Sequence, residues 1–356
     1  MNKQNDPSTI PVDLIRVVAI FGVLLAHAIG YLALQTVSDM GVLRWWVVVD
    51  LYQLSGRIGI SLFIMLTGTL LLTPSKKNEN IRLFFKKRFS RIGLPFLFWG
   101  VIYFIWTIYV QNQPVTQAFI INGILKGPYF IFWYLYLLIG LYLLTPLLRV
   151  MIAHFTDKLF KYFICLWFIG TSLVPTIEFI SGWSSHLHGI LFLIPLCTGF
   201  FIIGPYLAKL RVQRWILVSL TIVGLTLSTI ATYFTAGLGG DTTFFFQSNN
   251  NPAMILTSMA LFMLLNSYTN LQNISQLEKP SWKQRIMHII SENSLAIYLF
   301  HMIAIYILQY LSEFILPNYT LDPIIGVPLT AVMALLVCLI IIVPLKKIPI
   351  LKKLIG

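Results

Sequence analysis

The sequence predicts an all-α, polytopic membrane protein with about ten transmembrane helices and both termini in the cytoplasm. Three observations predict it. Hydrophobic residues make up 58% of the 356 residues and charged residues only 10%, against roughly 25% charged in a typical soluble domain. Ten apolar runs reach the length of about 20 residues that crosses a hydrocarbon core. Lysine and arginine collect in alternate loops between those runs. The net charge of +13 is therefore attributed to lysine and arginine residues on the cytoplasmic side of the membrane. We expect no nucleic-acid partner.

These apolar runs define the predicted elements. No internal repeat and no soluble region interrupts them, so the chain is expected to form a single transmembrane domain over 1–356. The polar first residues and the long first apolar run also predict that no signal peptide is cleaved. The predicted spans are 12–34, 46–72, 92–111, 129–152, 159–180, 188–208, 213–236, 251–270, 288–311 and 324–345.

The distribution of lysine and arginine predicts the orientation. Positive residues concentrate in the loops that follow even-numbered spans and in the C-terminal segment, and Arg149 is counted with the loop after span four. Only Arg44 and Lys126 fall in the opposite loops, while Arg16 and Arg57 lie inside spans. Because cytoplasmic loops carry the excess of positive charge, the even-numbered loops are expected in the cytoplasm. Losing one span would destroy this segregation.

The first span carries ionisable residues on one helical face. Arg16 and His27 are 11 residues apart, which leaves them about 20° from the same azimuth and separates them by about 16 Å along the axis. Asp13 lies about 40° to the other side of His27. Charged groups at membrane depth are costly and are therefore functional candidates. The equally supported alternative makes Asp13 and Arg16 an interfacial anchor pair and His27 a satisfied interior side chain.

The second span places Arg57 near the middle of the bilayer. An unpaired guanidinium there costs at least about 2.5–3.5 kcal/mol, so Arg57 needs a carboxylate, a carbonyl group or an aqueous cavity. Asp50 lies seven residues earlier on nearly the same face, and pairing with it would give Arg57 a purely structural role. The following run from Gly59 to Gly68 is rich in small residues, which favours close helix packing or a cavity wall.

The ninth span presents a polar stripe. Ser294, Tyr298 and His301 follow an i, i+4, i+7 spacing and therefore share one helix face. Such a stripe inside an apolar span faces protein or a water-filled cavity rather than lipid. For His301, which lies near the midplane, the main alternative to catalysis is a structural hydrogen bond to a backbone carbonyl.

A basic run in the loop after span two forms a candidate phosphate-binding face. Arg88 and Arg91 are three residues apart and point the same way at the bilayer edge. Arginine binds phosphate bidentately, so a cytoplasmic donor with several phosphates, such as coenzyme A, would fit. A basic loop that only determines topology is the simpler alternative.

Motifs of other enzyme classes are missing from the sequence. It contains no P-loop, G-x-G-x-x-G, H-E-x-x-H or G-x-S-x-G motif. We expect no metal, because His186 and His188 have no carboxylate or cysteine spaced to complete a ligand set. The three cysteines lie in apolar runs and indicate no disulfide framework.

Together these features resemble the family-3 membrane acyltransferases, integral-membrane O-acyltransferases that modify bacterial surface sugars. The resemblance covers nearly the whole chain. It depends on motifs that occur in order at matching depths, since each alone occurs by chance. The motifs are Arg16-x10-His27 with Asp13 before it, Arg57 with the run to Gly68, Arg88-x-x-Arg91 with Pro95 beyond it, Trp133–Tyr136, Tyr142–Leu148 and Ser294–His301.

The resemblance implies an activity and a set of site residues. Acyl-coenzyme A, most commonly acetyl-coenzyme A, would arrive from the cytoplasm. A hydroxyl of a cell-surface glycan or glycolipid would be acylated at the outer face of the bacterial cytoplasmic membrane. The implied residues are Arg88, Arg91 and Arg16 for donor binding, and His27, Arg16, Asp13, Arg57, His301 and Tyr298 for catalysis.

The same resemblance implies roles. His27 would be the general base on the acceptor hydroxyl or a transient acyl carrier, since an imidazole with a pKa near 6.5 suits either. Arg16 would hold the pyrophosphate or thioester end of the donor or polarise its carbonyl, and Asp13 would orient Arg16. Arg57 would stabilise the tetrahedral oxyanion.

The chain also departs from the family pattern, and other functions stay open. Ile131 stands where many members have a histidine, and Ser61 where a proline is usual. In layout the chain resembles members that acetylate enterobacterial common antigen and lack an appended extracytoplasmic domain. The alternatives are a transporter or flippase, whose pathways also carry buried charges, and an acyl-sensing or racemase-associated membrane module that lacks turnover on its own. Self-association and the identity of the acceptor are not predicted.

Overall fold

The described part of the chain is helical and contains no strand. The computed structural model describes residues 11–32, 42–73, 79–182, 195–236, 250–268, 280–315 and 322–356. The helices are α1 (Val12–Leu32), α2 (Val42–Leu71), α3 (Ile81–Arg88), α4 (Leu94–Tyr109), α5 (Gln117–Leu125), α6 (Trp133–Ala153), α7 (Asp157–Phe168), α8 (Val174–Ser181), α9 (Leu196–Leu207), α10 (Arg214–Ala236), α11 (Pro252–Asn266), α12 (Trp282–Glu292), α13 (Ser294–Ile315), α14 (Pro323–Leu345) and α15 (Pro349–Ile355).

The prediction of an all-α polytopic membrane protein is confirmed. Among the described residues, eight helical segments are long and apolar enough to cross a membrane. The shorter apolar helices α9 and α11 coincide with the sixth and eighth predicted spans. Every predicted apolar run thus corresponds to a helix, although the first residues of run 188–208 lie outside the described residues. The number of helices that cross the bilayer and the side of each terminus stay predictions.

Two long helical segments contain a π-helical turn just before a proline. The turn Phe89–Gly93 joins α3 to α4 ahead of Pro95, and the turn Ile169–Leu173 joins α7 to α8 ahead of Pro175. Proline has no N–H to donate and its ring displaces the preceding turn, and a π turn absorbs that defect without ending the helix. Arg88 and Arg91 therefore belong to a helix that continues into span three, and the prediction of a loop there was wrong.

Helix α1 lies at the centre of the bundle and contacts α2, α12, α13 and α14. Small residues permit its close approach to α2. A Cβ atom on Gly59 would lie 2.4 Å from the carbonyl oxygen of Ala19, and one on Gly22 would lie 2.5 Å from that of Ser55. The close packing predicted from the run Gly59–Gly68 is thus confirmed, and α1 is held firmly with its ionisable residues inside the protein.

Candidate active site

A cavity of about 250 Å³ opens at the end of the bundle where α1 begins, which we call the arginine cavity. Three guanidinium groups line it: Arg16 from α1, Arg88 from the end of α3, and Arg91 from the π turn. The structure thus brings together the three donor-binding candidates, although they come from two separate regions of the sequence. The rest of the lining is mostly apolar and aromatic and includes Leu71, Tyr134, Leu138, Tyr142, Ser294 and Tyr298.

Aromatic rings fix the position of Arg88. Its guanidinium carbon lies 5.4 Å from the ring centroid of Phe84 and 5.7 Å from that of Tyr142, within the range of cation–π attraction. Its Nε is buried and has no hydrogen-bond acceptor within the described residues. Its guanidinium also makes a hydrogen bond to the side chain of Tyr142, so Arg88 is held against the cavity wall by Phe84 and Tyr142.

Arg149 packs against the same Phe84 ring as Arg88. The prediction that Arg149 belongs to a cytoplasmic loop was wrong. Arg149 lies in α6 with its side chain only 4% exposed. Its Nε donates to the carbonyl of Leu71 at 2.7 Å, Nη1 lies 3.0 Å from Glu79, and the guanidinium sits 4.7 Å from the Phe84 ring. Phe84 is therefore in contact with both Arg149 and Arg88. Tyr142 and Arg149 are seven residues apart, about two helical turns. This spacing is the sequence signal that could have placed both side chains on one face of the helix, towards Phe84.

Glu79 joins α3 to α6 electrostatically. Its carboxylate binds Arg149 at 3.0 Å and Lys87 at 3.1 Å. Burial raises the pKa of the Glu79 carboxyl, but the hydrogen bonds from Lys87 and Arg149 lower it by more, so its pKa lies below the ordinary value. The carboxylate is thus held ionised, and it anchors the helix that carries Arg88.

Beyond the cavity, two histidines far apart in the sequence meet. Nε2 of His301 lies 3.1 Å from Nδ1 of His27, and the ring centroids are 4.8 Å apart. Nδ1 of His27 also lies 3.0 Å from the carbonyl oxygen of Val23. His301 is fully buried, and its Nδ1 lies 2.5 Å from the carbonyl oxygen of Tyr298. The Phe130 ring packs 5.5 Å from the ring of His27.

Tyr298 connects the histidine pair to the arginine cavity. Its side chain lines the cavity, while its backbone carbonyl binds His301. Its hydroxyl donates to the carbonyl of Ile131 at 2.8 Å. The polar stripe predicted on span nine thus faces the protein interior, with Ser294 and Tyr298 at the cavity and His301 at His27.

Comparison with known proteins identifies the family. The chain matches the acyltransferase domain of acyltransferase family 3 over residues 11–343. The chain belongs to this family. It is therefore a multi-pass membrane acyltransferase, which acts on an acceptor substrate within or beside a lipid bilayer. Neither the curated proteins nor the solved structures contain a significant match to it.

In this acyltransferase, Asp13 makes its hydrogen bond to a residue that the sequence did not single out. Its carboxylate lies 3.0 Å from Nδ1 of His288 on α12. The charges of Asp13 and Arg16 interact, and the role of Asp13 in orienting Arg16 stays a prediction. His288 sits on α12 one turn before Glu292, to which its Nε2 is 4.0 Å away. The contact between α1 and α12 could not be found from the spacing of either segment.

Arg57 lies on α2 beside the half of α1 that is remote from the arginine cavity. Its neighbour Gly56 packs against Ala26, since a Cβ atom there would lie 2.4 Å from the Ala26 methyl. Arg57 interacts electrostatically with the buried Asp50, the partner suggested by the sequence. Nε of Arg57 has no hydrogen-bond acceptor within the described residues. Arg57 is therefore at nearly the same level as His27, while Arg16 is at the arginine cavity.

Metal-ligating side chains do not cluster in the described part of the acyltransferase. No group of three or more His, Cys, Asp and Glu side chains there could hold a metal ion. The candidate pair His186 and His188 lies outside the described residues.

Proposed function

We propose that this acyltransferase moves an acetyl group from acetyl-coenzyme A, bound at the cytoplasmic end, to a hydroxyl of a cell-surface glycan or glycolipid. The proposal places the enzyme in a bacterial cytoplasmic membrane, and its layout resembles members that acetylate enterobacterial common antigen. One observation carries it: Tyr298 lines the cavity with three arginines and also binds the histidine that contacts His27. Tyr298 thereby connects a site suited to an anionic donor with an imidazole that can act as a base.

Donor binding is supported by the charge of the cavity. Coenzyme A carries several phosphate groups, and the guanidinium groups of Arg16, Arg88 and Arg91 line the same cavity. Arginine forms short, charge-assisted and often bidentate hydrogen bonds to phosphate. Arg88 lines the cavity beside Arg16 and Arg91, so its guanidinium can supply such donors. The aromatic and aliphatic lining beyond the arginines suits the flexible thiol arm of the donor.

Depth along α1 separates the roles of the arginines. Arg16 and His27 are 11 residues apart, or about 16 Å along the helix, so Arg16 is too far away to polarise a carbonyl attacked beside His27. Arg16 therefore binds donor phosphate with Arg88 and Arg91. Arg57 lies close to the level of His27, and it is the arginine suited to stabilise the tetrahedral oxyanion in a low-dielectric site.

In the proposed reaction, His27 takes the proton of the acceptor hydroxyl, and the oxygen attacks the thioester carbonyl carbon. The carbon–sulfur bond then breaks, and the coenzyme A thiolate leaves with a proton returned from His27. In the alternative order the imidazole of His27 attacks first, carries the acetyl group and passes it to the hydroxyl. Both orders release one thiol for each acetyl group transferred.

Thiol release from acetyl-coenzyme A tests the proposal. Purified protein in nanodiscs should bind acetyl-coenzyme A and release free thiol, with rapid release of one equivalent in the absence of acceptor if an acyl-histidine forms. His27→Ala should retain donor binding and lower thiol release at least about 10²-fold, the lower end of general-base contributions. Arg88→Ala should weaken donor binding about 10-fold or more, because it removes charge-assisted hydrogen bonds.

Arg82→Ala is the matched control, since Arg82 lies on the same helix as Arg88 but is exposed and outside the cavity lining. It should leave donor affinity unchanged. Unaltered thiol release by a well-folded His27→Ala would overturn the role of His27. Absence of both binding and release in the wild type, with substrate counterflow in liposomes, would favour a transporter instead.

A further inference from the structure

We propose that His301 is a positioning residue that fixes the tautomer of His27, leaving Nε2 of His27 as the atom that takes the proton. This inference deepens the proposed function and rests on His27 being the reacting imidazole. It follows from the hydrogen-bond partners of the two rings.

The proton on His301 can be assigned from its partner. Nδ1 of His301 lies 2.5 Å from the carbonyl oxygen of Tyr298. A carbonyl oxygen only accepts hydrogen bonds, so Nδ1 of His301 must carry a hydrogen. In a neutral ring the other nitrogen, Nε2, then has a lone pair and accepts.

The position of the proton on the His27 ring follows from the two contacts that its Nδ1 makes. Nδ1 of His27 lies 3.0 Å from the carbonyl of Val23 and 3.1 Å from Nε2 of His301. If Nδ1 carried a lone pair, it would face the carbonyl oxygen of Val23 with no hydrogen between them. An Nδ1–H satisfies both neighbours at once, as a shared hydrogen bond. The hydrogen bonds therefore run in one direction, from His27 to His301 to Tyr298.

This assignment gives the two histidines different roles. Nε2 of His27 has a lone pair and makes no hydrogen bond within the described residues, so it is the nitrogen available to a substrate. Both nitrogens of His301 are engaged, and the ring is fully buried. His301 therefore does not reach a substrate. When Nε2 of His27 takes a proton, the acceptor Nε2 of His301 stabilises the imidazolium, as the buried partner of a catalytic histidine does in a triad.

Two substitutions separate the two hydrogen bonds of His301. His301→Gln keeps an oxygen acceptor that can reach His27, whereas His301→Asn keeps a donor near the carbonyl of Tyr298 and loses the reach to His27. We expect Gln to retain kcat for thiol release within about 10-fold. We expect Asn to lower kcat by about 10²-fold, comparable to the loss of a general base, with an unchanged KM for acetyl-coenzyme A.

Nitrogen-15 NMR of histidine-labelled protein reads the tautomer without any turnover. The chain has six histidines, and subtraction of the His27→Ala spectrum identifies the His27 signals. We expect the wild type and His301→Gln to show a protonated Nδ1 and an unprotonated Nε2 for His27, and His301→Asn to show a mixture. A protonated Nε2 in the wild type would overturn the proposal, as would unchanged kcat and tautomer in His301→Asn.

The two readouts distinguish failure of this inference from failure of the proposed function. If the wild type shows the expected tautomer but releases no thiol, only the proposed function fails. If thiol release requires His27 but Nε2 carries the proton, only the role of His301 fails. If His301→Asn does not fold, the wild-type spectrum and His301→Gln still decide the assignment.

Discussion

Replacement of Arg149 by methionine tests whether the contacts of this buried arginine hold α3 in place. Arg149→Met keeps much of the side-chain volume but removes the hydrogen bond to Leu71, the ion pair with Glu79 and the cation–π contact with Phe84. The same cluster positions Arg88, which shares the Phe84 ring. The substitution should therefore affect both stability and donor binding.

The magnitude can be derived from these contacts. Removing one partner of a buried ion pair costs about 3–5 kcal/mol, and a hydrogen bond to a charged group contributes about 1.5–3 kcal/mol. Glu79 keeps Lys87 as a partner and is 17% exposed, so the lower end applies. We expect the free energy of unfolding to fall by about 3 kcal/mol, which is on the order of a 10²-fold change in the unfolding equilibrium.

Unfolding titrations in mixed micelles measure this free energy, and acetyl-coenzyme A titrations measure the donor affinity. Lys87→Met is the matched control, because Lys87 shares Glu79 but its side chain is 53% exposed. An exposed ion pair contributes at most about 1 kcal/mol, so Lys87→Met should have a much smaller effect. Equal stability of the two variants, or wild-type donor affinity in Arg149→Met, would refute this role of the cluster.

Three further predictions concern neighbouring contacts. Because the pKa of Glu79 is lowered in the folded protein, its contribution to stability is complete above the ordinary value of 4.5 and is lost as pH falls through the lower folded value. As the pH falls from 4.5 through the folded pKa of Glu79, the midpoint temperature of thermal unfolding should therefore decrease more for the wild type than for Glu79→Gln. Gly68→Ala should cost about 1–3 kcal/mol, since a Cβ would lie 1.9 Å from a backbone oxygen of α9. Gly100→Ala, with nothing within 4 Å, should show no such loss in the same unfolding assay. Tyr298→Phe should lose about 1 kcal/mol of stability with its hydrogen bond to Ile131 and keep kcat for thiol release within about 3-fold. A 10²-fold fall in kcat would instead show that the hydroxyl takes part in the chemistry.

The sequence is sufficient to predict the helical class and the helices α1, α2 and α13, which carry Arg16, His27, Arg57, Tyr298 and His301. Apolar length alone locates them, because a bilayer imposes one length on every span. Helical periodicity also predicts that Ser294, Tyr298 and His301 share a face. The two π turns and the continuous helix through Arg88 are not predicted, because proline signals a break but does not decide between ending a helix and bending it.

Contacts between distant segments lie outside what periodicity can predict. His27 and His301 are 274 residues apart, and Asp13 and His288 are 275 apart. Each helix has several faces that could meet α1, and only packing of the whole bundle selects one. Arg149 was misassigned for a related reason: a positive residue near a span end also fits a cytoplasmic loop, and its burial against Leu71, Glu79 and Phe84 depends on how the helices pack.

Both ends of the proposed site, the arginine cavity and the histidine pair, contain residues from the same two helices, α1 and α13. Arg16 and His27 lie on α1, while Ser294 and His301 lie on α13, and α1 contacts α13 directly. The separation of about 16 Å along α1 cannot change without unwinding a packed helix. In the proposed reaction, the donor itself must therefore carry the acyl group across that distance. Substitutions in the arginine cavity should act on donor binding, whereas substitutions at the histidine pair should act on the chemical step.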